Sequence, residues 1–381
     1  MDFLAAYLQW NERKEEEEGA EEEGIILEEM VRLAMLPSSS VSSLFSPDED
    51  QHATCVAAAI GNARGGVNVQ LQALHRLTHL LDAVQVPSSP SSSKDKESAA
   101  RAAAETLARA CRLFEGLVEQ GGMGEGPGAE AVRQMAQSLL GHVTQHLAAL
   151  LGYVLSSRTI NSSNIRAEIF EGLLRGLIVL RLYVRKRWLF PSGGGMRVED
   201  VGRLLAAVAS LPQTLQGMDG GEEENGEQGS VREEVFGAAC GLLSALLKHH
   251  PRLVYQCAPP FFFLTRALLR ALLAGSSTTT TTGWRPTAAK AWTRLAEHLA
   301  GHATPLRRHL MLLVVDYLNV CPHLGQELKG ALQPAAFALM DTLTSFEVQH
   351  MHAALLDAAG QALLKKLHSD YQQRYKYRGK V

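Results

Sequence analysis

Apolar side chains in this chain recur every three or four residues, and nowhere do they alternate with polar ones over the length of a strand. Around "LRGLIVLRLYVRKRWLF" (174–190), Leu173, Leu177, Leu180 and Val184 fall on one helical stripe, which Trp188 continues. A spacing near 3.6 gives a helix one apolar face, whereas a half-buried strand needs a spacing of two. Leu and Ala dominate and aromatic residues are only 6%. The expected fold is therefore all-α. With 381 residues, 46% of them hydrophobic, the chain can bury a sizeable core as one large helical domain or two ordinary ones.

Several helix starts are readable. Ser46-Pro47-Asp48-Glu49 offers an N-cap serine, a first-turn proline and a glutamate closing a capping box. Ser230…Glu233 and Thr344…Glu347 repeat the box, and Leu343 and Val348 stand where a hydrophobic staple belongs. Pro251, Pro286 and Pro305 read as first-turn prolines. Between the helices lie segments too polar or too small-chained to build a core: 15–24, 86–97, 121–128, 217–230 and 275–283. They read as surface loops. The helices between them come in consecutive pairs, which suggests a HEAT- or armadillo-like stack of hairpins, an α-solenoid. No sequence signature repeats at a fixed period, so an irregular helical bundle stays open beside it.

A formal net charge of -3 argues against a wholesale nucleic-acid coat, so any such contact must be local. Cys55, Cys111, Cys240, Cys257 and Cys321 are odd in number, widely spaced and set in apolar helical patterns. They are expected to be free, buried thiols of a reducing compartment. The N-terminus carries a glutamate block and no basic region before its short apolar run, so it does not read as a signal peptide. The most apolar stretch, "CAPPFFFLTRALLRALLA" (257–274), is interrupted by arginines and a proline pair, so no membrane-spanning helix is expected.

Neither a phosphate-binding GxxxxGK[ST] loop nor a GxSxG nucleophile elbow occurs. His298 and His302 lie four apart, but Glu297 precedes both and Gly301 and Pro305 set them at a helix end. They read as a surface pair. "KHHP" (248–251) closes a helix with residues that suit its dipole, and "QHMH" (349–352) and "CPH" (321–323) have no third partner nearby in sequence. The expectation is a chain without catalytic residues, cofactor, metal or small-molecule substrate.

Two basic, aromatic segments stand out. One carries Arg175, Arg181, Arg185, Lys186 and Arg187 toward the end of a helix, where the dipole alone favours cations. The other closes the chain. A helix read from Thr344 nearly to the terminus has an inward stripe of Met351, Leu355 or Leu356, Gly360, Leu363, Leu367 and Tyr371, with Tyr375 one turn on. Beyond the stripe, Arg374, Lys376, Tyr377, Arg378 and Lys380 have the composition of a surface that contacts phosphate and base, or an acidic protein.

It is on this last segment that a family resemblance rests. "ALLDAAGQALLKKLHSDYQQRYKYRGKV" resembles the extreme C-terminus of the nucleolar pre-rRNA processing proteins called the unhealthy ribosome biogenesis family, in the form its second member takes. "HPRLVYQCAPPFFFLTRALLRALL" (250–273) and the run 309–356 are similar to that family's preceding helices. The likeness spans roughly 160–381, leaving 1–150 as an N-terminal helical region with acidic and Ser/Gly-rich linkers. Family members are usually several times longer, so the resemblance implies a C-terminal piece or a shortened relative. It implies a non-catalytic scaffold in large-subunit pre-rRNA processing, held in the nucleus and nucleolus among other ribosome assembly factors and pre-rRNA, away from membranes. The reading outside that family is a cytosolic α-solenoid adaptor that binds proteins only.

Overall fold

A computed structural model of the chain describes residues 67–84, 93–119, 129–156, 163–186, 189–190, 195–217, 226–272, 284–355 and 358–374. Among them are fourteen α-helices, a short 3-10 turn at Cys321–His323 and no strand. In chain order the helices are α1 (Val67–Ala83), α2 (Ser93–Glu119), α3 (Ala129–Ser156), α4 (Ser163–Arg185) and α5 (Val198–Ala207). Next come α6 (Leu211–Gly217), α7 (Gly226–His249), α8 (Pro251–Gln256), α9 (Ala258–Ala271) and α10 (Arg285–Ala300). The last are α11 (Ala303–Val320), α12 (Gln326–Asp341), α13 (Ser345–Ala354) and α14 (Ala358–Arg374).

Contacts sort these helices into two layers. In one, α2 packs on α4, α4 on α7, α7 on α10 and α10 on α12. In the other, α1 packs on α3, α3 on α5 and α6, these on α9, then α9 on α11 and α11 on α14. Along the first layer, and between α1 and α3, these contacts are more extensive than any between helices adjacent in sequence, whereas α11 meets α12 more than it meets α14. Within a layer the neighbours run parallel. Arg101 on α2 pairs with Glu168 on α4 at 2.5 Å, and Ala104 faces Gly172. Farther on, Arg181 on α4 lies over Gly241 on α7, and Val184 carbonyl takes the His250 ring Nε2 at 3.0 Å. Stacked antiparallel hairpins produce this pattern, so the described residues form an α-solenoid.

Small residues decide how closely the layers pack. Ala100, Ala103, Ala104 and Ala108 are buried on α2. Opposite them, Gly172 and Gly176 are one turn apart on α4. A Cβ at Gly172 would lie 2.8 Å from the Ala104 carbonyl oxygen, and one at Gly176 would lie 2.6 Å from Leu147 on α3. The first glycine thus admits the same-layer neighbour and the second admits the other layer. One continuous apolar core runs from Ala73 to Tyr371.

The stripe read on α4 is as expected: Leu173, Leu177, Leu180 and Val184 are all buried. So is the Thr344 box. Thr344 N–H donates to Glu347 Oε2 at 2.8 Å, and Glu347 N–H donates back to Thr344 Oγ1 at 3.3 Å. Leu343 and Val348 both pack on the core. Thr344→Ala should cost about 1 kcal/mol, measured by chemical denaturation. The Thr344 amide holds the Glu347 carboxyl below its ordinary value. Its contribution is therefore full above the unfolded glutamate value of about 4.3. The stability difference between wild type and Glu347→Gln should vanish as pH falls through the lowered folded value.

Three expectations are corrected. The single helix from Thr344 toward the terminus is two helices, because Leu355 turns to extended backbone (φ -74°, ψ 112°). Gln361 Nε2 donates to the Leu355 carbonyl at 2.8 Å and closes the break. Ser230 does not cap α7, which begins a turn earlier at Gly226, and its hydroxyl turns to Glu234 at 3.4 Å. Parts of two segments read as loops are helical: Ser93–Glu97 opens α2, with Asp95 in its first turn, and Gly226–Ser230 opens α7. The Ser46 box, Trp188 and the segments 15–24, 121–128 and 275–283 lie outside the described residues.

Candidate interaction surface

On the terminal helix the inward face is Gly360, Leu364, Leu367 and Tyr371, with Leu363 at its edge. Tyr371 is buried against Phe337 of α12, ring centroids 6.3 Å apart, and its hydroxyl donates to the Asp341 carboxylate. Tyr371→Ala should lower stability by about 1–3 kcal/mol, with Tyr371→Phe losing only the hydrogen-bond share, about 1 kcal/mol. Equal losses in the two variants would mean that the ring contributes nothing. Arg374 closes α14. Its side chain, with Lys376, Tyr377, Arg378 and Lys380, lies outside the described residues, as do Tyr375 and Arg187.

The basic end of α4 divides. Arg175 Nε donates to Glu171 Oε1 at 2.8 Å, and the same oxygen takes Arg112 from α2 at 2.8 Å. Arg175 is thus part of a strut between α2 and α4. Arg181 and Arg185 are exposed and Lys186 is half-buried at the helix end. His298 and His302 do not converge on a ligand: His298 is exposed, while His302 Nδ1 meets the Tyr255 hydroxyl at 2.9 Å. Among the described residues no three metal-ligating side chains gather. Cys111, Cys240 and Cys257 are buried free thiols, and Cys321 is a half-buried one. Burial pushes the thiols of the first three up, which keeps them unreactive. Cys55 lies outside the described residues.

A cleft of about 470 Å³ opens between α3, α4 and α5, lined in part by Thr144, Tyr183, Arg197, Asp200 and Arg203. Burial pushes the Tyr183 phenol up, and Asp200 accepts the Arg197 backbone N–H at 3.0 Å. Two of its charged residues, Arg197 and Asp200, thus set the start of α5.

A charged constellation that the sequence reading missed joins α9 to α11. Asp316 is 3% exposed. Its carboxylate accepts from Nε and Nη2 of Arg266, the latter at 3.2 Å, and from Nη2 of Arg270 at 2.8 Å. The Arg266 and Arg270 side chains are themselves 34% and 55% exposed. The carboxylate raises Arg266 further above its ordinary value. Next to this group, Phe262 stacks on the His309 ring at 4.7 Å. Burial first, and the Arg266 charge second, hold His309 below its usual range. Phe263 and Leu312 stay 59% and 40% exposed on the same two helices. The sequence signal was present, as two arginines four apart in "FLTRALLRA" and one aspartate in "LLVVDYL". They lie 46 and 50 residues from their partner, which periodicity does not register.

Among the described residues no helix is long and apolar enough to cross a membrane. No curated protein and no solved structure matches the chain. The family model described as "Urb2/Npa2 family" matches residues 177–380, from the middle of α4 through α14 and beyond. That stretch is more than half of the chain and contains the α9–α11 constellation and the terminal helix. The chain belongs to the Urb2/Npa2 family, a family of ribosome biogenesis factors.

Proposed function

We propose that the chain is a non-catalytic scaffold that supports large-subunit pre-rRNA processing within nucleolar pre-ribosomal particles. The observation that carries this reading is the family assignment over 177–380. The two-layered stack supports it physically, because a solenoid exposes a long surface for its mass and places several partners side by side. In this reading residues 160–381 form the family-like module and 1–150 a preceding helical region. Its direct partners are other assembly factors and pre-rRNA, and no small molecule is turned over.

Depletion of the protein should raise early large-subunit rRNA precursors relative to small-subunit ones, and the tagged chain should sediment with precursor particles. A diffuse cytosolic signal with no precursor rRNA in the purified material would replace this reading with a protein-only adaptor. The terminal residues are a local part of the same proposal. Reversing the charge of Arg374, Lys376, Arg378 and Lys380 should weaken particle association, with the deficit largest at low salt and shrinking as salt rises, and with helicity and melting nearly unchanged. Unchanged association would reduce the terminus to a solvated helix end.

A further inference from the structure

The outer face of α9 and α11 combines three properties. The first is charge of one sign. The two helices carry Arg266, Arg270, Arg307 and Arg308 against one carboxylate, Asp316. Arg307 lies 3.7 Å from Glu347, which leaves three guanidiniums against one buried aspartate. The second is alignment. Pro259, Phe263, Arg266 and Arg270 recur at helical spacing, so they form one solvent stripe on α9, and Pro305, Arg308 and Leu312 form the exposed stripe of α11. Asp316 fixes the two helices side by side, so the stripes flank a single seam. The third is preorganisation. Arg266 spends two nitrogens on Asp316 and Arg270 one, so both side chains are held before any ligand arrives. Less rotamer entropy is then lost on binding.

We propose that this face binds single-stranded RNA, with Arg266, Arg270 and Arg308 on phosphates and Phe263 as a base-stacking platform. Arg266 and Arg270 stand one helical turn apart, about 6 Å between Cβ atoms, close to the spacing of consecutive phosphates along a strand. An acidic peptide would satisfy the arginines equally. It has no flat face for a phenyl ring that is 59% exposed beside them, whereas every base does. The proposal deepens the role in pre-rRNA processing and rests on it for the presence of RNA.

The test uses the purified full chain and a fluorescent single-stranded oligouridine of about 12 nucleotides, read by anisotropy over a salt series. Phe263→Ala should weaken binding by about fivefold or more, the loss of one stacked base. Arg270→Gln with Arg308→Gln should lower the slope of log affinity against log salt by about 1.4, or 0.7 for each phosphate contact. All three side chains are exposed and Arg266 remains on Asp316, so circular dichroism should not move, and melting should fall only by the loss of the Arg270 bond to Asp316. Unchanged affinity and slope in both variants would overturn the proposal. So would polyglutamate binding that the arginine variants weaken equally while Phe263→Ala changes nothing, since that marks an acidic-protein surface. Failure here with precursor rRNA still co-purifying removes only this face. Absence of precursor rRNA from the purified particles removes the scaffold role, whatever the oligonucleotide shows.

Discussion

Trp292→Ala is expected to lower the unfolding free energy by about 3–5 kcal/mol, measured by denaturant titration of tryptophan fluorescence and helicity together. The indole is fully buried in α10, and its Nε1–H donates to the Thr265 carbonyl of α9 at 3.1 Å. Truncation therefore opens a cavity and removes a tie between the two layers in one step. Its position makes the loss consequential. α10 is flanked in its own layer by α7 and α12, and Thr293 Oγ1 adds a bond to the Ala331 carbonyl of α12 at 2.8 Å. In a stack where each unit is held by its neighbours, the variant should unfold α9 to α14 ahead of α1 to α4, broadening the transition. A loss below about 1 kcal/mol, with one sharp transition, would contradict this account of the packing.

Gly172→Leu should cost about 1–3 kcal/mol or more. The first atom of any side chain there meets backbone, the Ala104 carbonyl oxygen at 2.8 Å and Cα at 3.1 Å, and backbone cannot rotate aside. α2 and α4 must part. Gly152→Ala in α3 provides the control of opposite sign. A Cβ there meets nothing within 4 Å, so the gain in helix propensity, about 0.5–1 kcal/mol, should appear undiminished. If both glycines respond alike, the close approach of α2 and α4 is not what fixes Gly172.

Helices and their inward faces were legible in the sequence because both are set by local spacing. The α4 stripe and the Thr344 box needed nothing more than neighbours within one or two turns. The break at Leu355 was not legible. Apolar periodicity runs straight through 351–371, and it is the carbonyl bond from Gln361 that marks the end of one helix and the start of the next. The stack of hairpins was read from the succession of helices, but which helices meet within a layer was hidden for a different reason. Equivalent ties between same-layer helices span 67 residues from Arg101 to Glu168, 50 from Arg266 to Asp316 and 38 from Thr293 to Ala331. Segments of unequal length between the helices erase any fixed period while leaving the packing regular. The Asp316 group was missed because a charge constellation across two helices has no one-dimensional signature.

Those same short spans carry a consequence for biosynthesis. No hydrogen bond or ion pair named above reaches back more than 67 residues, so each new hairpin finds its docking surface already made when it leaves the ribosome. Domains generally fold as units from the N-terminus during synthesis, and a stack of this kind can grow one hairpin at a time. At about 5–20 residues per second, a helix waits only seconds for its partner. The growing chain thus presents one unfinished apolar end, and never a wholly unpaired core, to the crowded place where it is made.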